Sequence, residues 1–242
     1  MPRFKLPITI VLATVLLAAF MLPVLAATYN SGVTSGQFVK YSNFVATGPG
    51  FEAFNDYDYL TLQVTNVAGK EVTLLSTGQF KNGTSIPGNG TSTVWNVEAG
   101  TEDGTPSTQG PIIPANLNAG DPIPPPNTYT VNSTENREYL GFTRSINILE
   151  VTISTPDYNS TLTYVYDRAS GMLLESTSHT TAQGQTEPVT TDFSYSITET
   201  NIFNSTPTNS TRGVPIEYIL VAIVAALVII AVVVLLFRKR TK

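Results

Sequence analysis

Cysteine is absent from the 242 residues, and histidine occurs once, at His179. The first absence removes disulfide staples, thiolate nucleophiles and cysteine-based metal sites. The second removes catalytic zinc sites built on two or three histidines. A domain without disulfides holds itself together by burial and hydrogen bonding alone, which points to one well-sized core rather than a small stapled scaffold. Positive charge is scarce as well. Between residues 28 and 211 the basic residues are Lys40, Lys70, Lys81, Arg137, Arg144 and Arg168, against seventeen acidic ones, a net charge of −11. Such a surface repels nucleic acid and anionic headgroups at long range, so neither is expected as a partner. Sustained helical periodicity is missing from the same stretch.

What the middle lacks, the ends have. Residues 219–237 are an unbroken apolar run closed by Arg238, Lys239, Arg240 and Lys242. As a helix these residues would extend roughly 28 Å, close to the ~30 Å hydrocarbon core of a bilayer. The expectation is one C-terminal transmembrane helix over residues 215–237, with the basic tail of residues 238–242 on the cytoplasmic side. At the other end Arg3 and Lys5 precede an apolar stretch and a small-residue site around Ala26, the pattern of a signal helix over residues 1–26. An uncleaved N-terminal anchor is the alternative reading. Either one leaves the middle of the chain outside the cell membrane, as a single-pass protein or a two-anchor hairpin.

About 185 residues remain between the two, enough for one generous domain or two small ones. Here the pattern is β. Leu60, Leu62 and Val64 alternate with polar neighbours, as do Leu149, Val151 and Ile153, and again Phe193, Tyr195 and Ile197. Each such strand has one wet face, the mark of antiparallel sheet. Turn chemistry at residues 67–70, at Asn82-Gly83, at residues 168–171 and at Gln183-Gly184 joins these strands into meanders. The fold class expected is all-β over residues 28–200, antiparallel meander sheet or sheets forming a curved half-barrel or a sandwich.

Between the two halves lies a Pro-rich loop, residues 106–126, with seven prolines. Proline lacks the amide hydrogen a ladder needs, so no interior strand forms there. Ile112, Ile113, Leu117 and Ile123 in this loop call for a packing partner, either as a strap over the sheet or as a lid. After Thr200 the chain turns polar and Ser/Thr-rich, and residues 201–213 read as a stalk.

Six Asn-x-Ser/Thr sequons are present, at Asn82, Asn89, Asn132, Asn159, Asn204 and Asn209, all on the side expected to be exported. In a chain this rich in Ser and Thr their placement in turns and stalk says more than their number. Aromatic residues crowd one segment: Phe38, Tyr41, Phe44, Phe51, Phe54, Tyr57 and Tyr59. Their flat apolar faces suit a sugar or a lipid, and equally a sheet core. Asn55, Asp56 and Asp58 offer oxygens of the kind calcium takes, yet their spacing matches no complete loop motif and reads more simply as a solvated turn. Glu102 and Asp103 are a carboxylate pair of the type glycoside hydrolysis uses, though sequence shows no separation between them. No nucleophile motif, phosphate loop or histidine relay occurs, and His179 reads as an exposed polar residue.

Several phrases carry a resemblance: GQFVKY from Gly36, IPANLNAGDPIP from Ile113, REYLGFTRSINILEVT from Arg137, YDRASGMLLE from Tyr166 and ITETNIF from Ile197. Together they resemble a group of uncharacterised archaeal exported, membrane-anchored proteins, although Gln37 stands where those chains often have aspartate. The resemblance implies export and anchoring and brings no activity with it. The hairpin from Tyr166 also looks like those in curved sheets of lipoprotein-carrier type. The resulting expectation is a single-pass cell-surface glycoprotein, not an enzyme, with no cofactor and no metal. Its β ectodomain would bind an envelope protein, a glycan or a lipid, or serve as an envelope component. The alternative is a carrier or sensor of an apolar ligand, and a surface glycosidase-like enzyme is the third reading.

Overall fold

In the computed structural model, which describes residues 29–107, 110–123, 129–182 and 189–204, the alternating runs do become strands. Eleven are formed: β1 Phe38–Thr47, β2 Tyr57–Ala68, β3 Glu71–Phe80, β4 Thr91–Asn96, β5 Thr101–Glu102, β6 Thr105–Pro106, β7 Ser133–Tyr139, β8 Phe142–Ser154, β9 Tyr158–Asp167, β10 Leu173–Ala182 and β11 Val189–Thr200. They make one antiparallel sheet in the order β6-β5-β4-β3-β2-β1-β11-β10-β9-β8-β7. The sheet is not closed, because β6 and β7 pair on one side only. A single sheet forms where the sequence left a two-sheet sandwich open.

The order follows from chain geometry. Short turns join consecutive antiparallel strands, so residues 38–106 make one meander and residues 133–200 another. The two meet where the first strand pairs with the last, Tyr41 opposite Ile197. Gly69 at φ 62° and Gly171 at φ 77° supply the left-handed backbone at the turns expected around residues 67–70 and 168–171. The tight β7–β8 turn uses Leu140 at φ 52° and Gly141 at φ 81°. A leucine in that region is uncommon, and nothing in the residue pattern announces the turn.

Register divides the side chains between two faces. Val39 lies opposite Leu62 and Tyr41 opposite Leu60, Val64 opposite Leu74, Val72 opposite Trp95 and Leu149 opposite Tyr164. These residues form the inner face, and most of them are buried. On the outer face Thr152, Thr161, His179 and Asp192 stand side by side across four strands, as do Glu150, Thr163, Thr177 and Ser194.

The Pro-rich segment covers the inner face as a strap. Ile112 pairs with Met172 in an isolated bridge, the Ile113 amide donates to Gly171 O at 2.9 Å, and the Asn116 amide donates to Arg168 O at 2.7 Å. Ile113, Leu117 and Ile123 pack with Val131, Leu149, Val151, Tyr164, Tyr166 and Leu173. Prolines suit this course because the strap bonds to the sheet at intervals rather than residue by residue. The folded domain also runs beyond Thr200. Asn201 takes the Phe38 amide on its side-chain oxygen at 2.8 Å, and in the 3-10 turn Ile202–Asn204 both Ile202 and Phe203 are buried. The first residues assigned to the stalk therefore belong to the core.

Among the described residues no helix is long and apolar enough to cross a membrane. The signal segment 1–26, the apolar run 219–237, the basic tail and residues 205–213 of the expected stalk lie outside the described residues.

Candidate functional site

Five of the seven aromatics singled out in the sequence come together at one end of the inner face. The chain leaves β1, crosses a 3-10 turn at Glu52–Asp56 and enters β2. Asn55 fixes this crossing: its side chain accepts the Ala46 amide at 2.8 Å and donates to Ala46 O at 2.7 Å. Lys81 secures the crossing from β3, its amide donating to Asp56 O at 2.8 Å and its ammonium to Asn55 O at 2.6 Å. The oxygen that looked available to a cation on Asn55 is thus engaged in holding the turn.

The rings then stack in a continuous group. Phe51 lies 5.9 Å from Phe54, Phe54 lies 5.3 Å from Tyr57, and Tyr57 lies 5.4 Å from Phe44. Strand β11 contributes Phe193, 4.7 Å from Phe54, and Tyr195, 5.6 Å from Phe44 and edge-on to Tyr41 at 5.3 Å. Phe80 closes the group against Tyr57 at 4.9 Å. Each such pair adds about 0.5–1.5 kcal/mol beyond area burial. Phe51 is 40 % exposed, so the group reaches solvent at one edge. Phe38 and Tyr59 stay apart from it. Phe38 neighbours Val39 and so points to the other face, and Tyr59 lies there under the Lys40 ammonium, 4.7 Å from the ring centre. The contributions of Phe80, Phe193 and Tyr195 were not singled out in the sequence, although the alternation of β11 placed the last two on the apolar side.

Beside this group is a ladder of buried phenols. The Tyr41 hydroxyl donates to Leu173 O at 2.8 Å and the Tyr166 hydroxyl to Gly110 O at 3.1 Å. Burial raises the Tyr41, Tyr164, Tyr166 and Tyr195 hydroxyls above the ordinary tyrosine range, reinforced at the first three by neighbouring phenols. All four are neutral at ordinary pH.

Under the strap a cavity of about 20 Å³ is lined by Trp95, Ile112, Ile113, Ile123, Leu149 and Tyr166 among others. It has room for one water molecule, far below the ~300–1,000 Å³ of a small-molecule pocket.

The other residues of interest are dispersed. Asp103 accepts the Val94 amide at 2.7 Å and sits at φ 47°, as a turn residue holding β4, while Glu102 is exposed on β5. His179 is exposed on the outer face with its Nδ1 2.5 Å from Asp192 Oδ1. Among the described residues no three His, Cys, Asp or Glu side chains are grouped so as to hold a metal ion. Asn82, Asn89, Asn132, Asn159 and Asn204 are all exposed, and Asn209 lies outside the described residues.

Sequence reasoning missed the most elaborate polar cluster. Asp167, fully buried, takes two hydrogen bonds from Arg144 and two from Ser170. Its signal was the YDRASG phrase itself, in which a carboxylate three residues before a serine can close its own turn.

These features define an open, eleven-stranded antiparallel sheet with a strapped inner face and an outer face that is hydroxyl-rich at Thr152, Thr161, Thr163 and Thr177 but apolar at Ile146, Ile148 and Val165, which share a cluster with Ile202 and Phe203. No protein-family model and no curated protein sequence matches the chain.

Proposed function

We propose that this chain is a single-pass cell-surface glycoprotein whose β domain acts through its surface, by binding or as a structural component of the cell envelope. The observation that carries the reading is how near the buried residues come to the apolar run. Phe203 is the last buried residue among those described, and only fifteen residues, rich in Ser, Thr and Asn, separate it in sequence from the apolar run of residues 219–237 with its basic tail. A folded domain on so short a tether, carrying sequons and an excess of acidic residues, suits the outer side of a membrane. Curvature of the open sheet into a half-barrel belongs to the same proposal, as do the signal helix, the cytoplasmic tail and kinship with archaeal exported proteins.

A filled inner face supports action by the surface over carriage of an apolar ligand. The strap packs Ile113, Leu117 and Ile123 onto the inner face over β8, β9 and β10, and the space left beneath it is water-sized. Partners of this surface are an envelope protein, a glycan or a lipid, and chemistry on a substrate is not part of the reading.

The test is protease added to intact cells bearing the chain with an epitope after Lys242. The domain should be removed and the epitope spared; loss of the epitope, or survival of the domain, overturns the topology. Native mass spectrometry of the detergent-solubilised chain should then show no small mass released on denaturation. Release of one would replace the surface reading with the carrier.

A further inference from the structure

Four sequons lie wholly within described residues, and the fold treats them differently. Asn132-Ser133-Thr134 and Asn159-Ser160-Thr161 run into or along paired strands. Asn132 Oδ1 accepts the Glu150 amide at 2.7 Å, and the Thr134 hydroxyl is turned away to Asn147 Oδ1 at 2.7 Å. Asn159 is laddered to Ser154 on one side and Thr181 on the other. Asn89 is in a turn, but its Oδ1 is committed to the Gly78 amide at 2.8 Å, and Thr91 already pairs with Ser76 in β4.

Asn82 is arranged otherwise. It occupies the exposed turn after β3, with Gly83 at φ 86°. Its Oδ1 accepts both the Thr84 amide at 2.9 Å and the Thr84 hydroxyl at 2.7 Å. The turn is braced from outside the sequon, the Phe80 amide donating to Thr84 O and the Gly83 amide to Phe80 O, each at 2.8 Å, with Gln79 Nε2 donating to Gly83 O at 2.7 Å. The acceptor amide and the hydroxyl that defines the sequon are therefore already in contact on a fixed, protruding turn.

We propose that Asn82 is the sequon of the folded domain shaped for N-glycosylation, and that Asn89, Asn132 and Asn159 serve chiefly as structural side chains. In the cell this rests on the export proposed above. The step forms a bond from Asn82 Nδ2 to the anomeric carbon of a polyprenyl-phosphate-linked oligosaccharide. The bond from that carbon to the phosphate oxygen breaks, the lipid phosphate leaves with the electron pair, and the Nδ2 proton passes to a base of the transferase. A sequon in a turn enters an active site as it stands, whereas one in a ladder requires local opening first.

The test uses the purified full chain in detergent with a purified oligosaccharyltransferase and a polyprenyl-linked oligosaccharide, followed by peptide mapping. Glycan should reach Asn82 at least about tenfold faster than Asn132 or Asn159, and unfolding the chain in urea should remove the difference. Asn82→Asp keeps an oxygen for Thr84 and so the turn, yet should abolish transfer at this position. Thr84→Ala should abolish it as well, and Thr84→Ser should retain it. Equal rates at Asn82 and Asn132, no transfer at Asn82, or a preference that persists in urea would each overturn the proposal. Because export plays no part in this assay, its result stands apart from that of the protease experiment.

Discussion

Arg144 donates from Nε and Nη2 to the two carboxylate oxygens of Asp167, at 2.8 and 3.1 Å, and Asp167 is fully buried. The Ser170 amide and hydroxyl complete the set on Oδ2 at 2.8 and 2.7 Å. Arg144 also lies 4.8 Å from the Phe203 ring centre, and Phe203 lies 5.8 Å from Phe142. One carboxylate thus ties the β9–β10 turn to β8, and through the guanidinium to Phe203, the last buried residue among those described. Removing one member of a buried pair strands the other. Asp167→Ala should therefore cost about 3–5 kcal/mol, read as a lowered urea midpoint by tryptophan fluorescence. An unfolding free energy within about 0.5 kcal/mol of wild type, as for an ordinary surface change, would remove the cluster from the stability of the domain.

Gly171 and Gly141 separate two effects that usually coincide. Both have positive φ, 77° and 81°. A Cβ at Gly171 would lie 2.0 Å from Ile113 O in the strap, whereas one at Gly141 would meet nothing within 4 Å. Gly141→Ala should show only the strain of a left-handed alanine, about 1–2 kcal/mol. In a domain of this size that lowers Tm by roughly 2–8 °C. Gly171→Ala should lower it further, because the strap must also move. Equal shifts by calorimetry would mean that the strap yields without cost.

The sheet was legible because its strands alternate and their turns carry glycine. Leu60 to Val64 and Phe193 to Ile197 reveal their faces directly, and residues 67–70 and 168–171 announce their turns. What escaped depends on contacts far apart in sequence. No local pattern tells β1, at Phe38–Thr47, to pair with β11, at Val189–Thr200, or tells Ile112 to sit against Met172. Ile202 and Phe203 look like stalk because two apolar residues among Ser, Thr and Asn show no period. Only their place in one cluster with Ile146, Val165 and Leu174 makes them core. The aromatic segment was legible as a group but not as a place. Alternation within β1 sends Phe38 to the opposite face from Tyr41, the register shift between Tyr57 and Tyr59 in β2 parts those two rings, and the rings that complete the inner group come from β3 and β11.

The phenol ladder gives the domain a defined response to alkali. Burial raises the Tyr41, Tyr164, Tyr166 and Tyr195 hydroxyls, and the Tyr139 hydroxyl is pushed up to about 12 by burial and by the Glu175 carboxylate at 3.0 Å. In the unfolded chain each ionises near pH 10. Below that value both states hold the proton, so the stability is independent of these groups. Above it the unfolded chain gives up protons that the folded chain retains, so stability falls as pH rises from about 10 toward the folded values. Each buried phenol that stays protonated contributes a slope of about 1.4 kcal/mol per pH unit. The urea midpoint should accordingly be flat through neutral pH and drop steeply above about pH 10. Over the same range tyrosinate absorbance of the folded chain should account for only part of the eleven tyrosines, with the remainder titrating as the domain unfolds. If all eleven ionise in the folded chain near pH 10 without loss of the midpoint, the ladder is open to water and does not hold the inner face together.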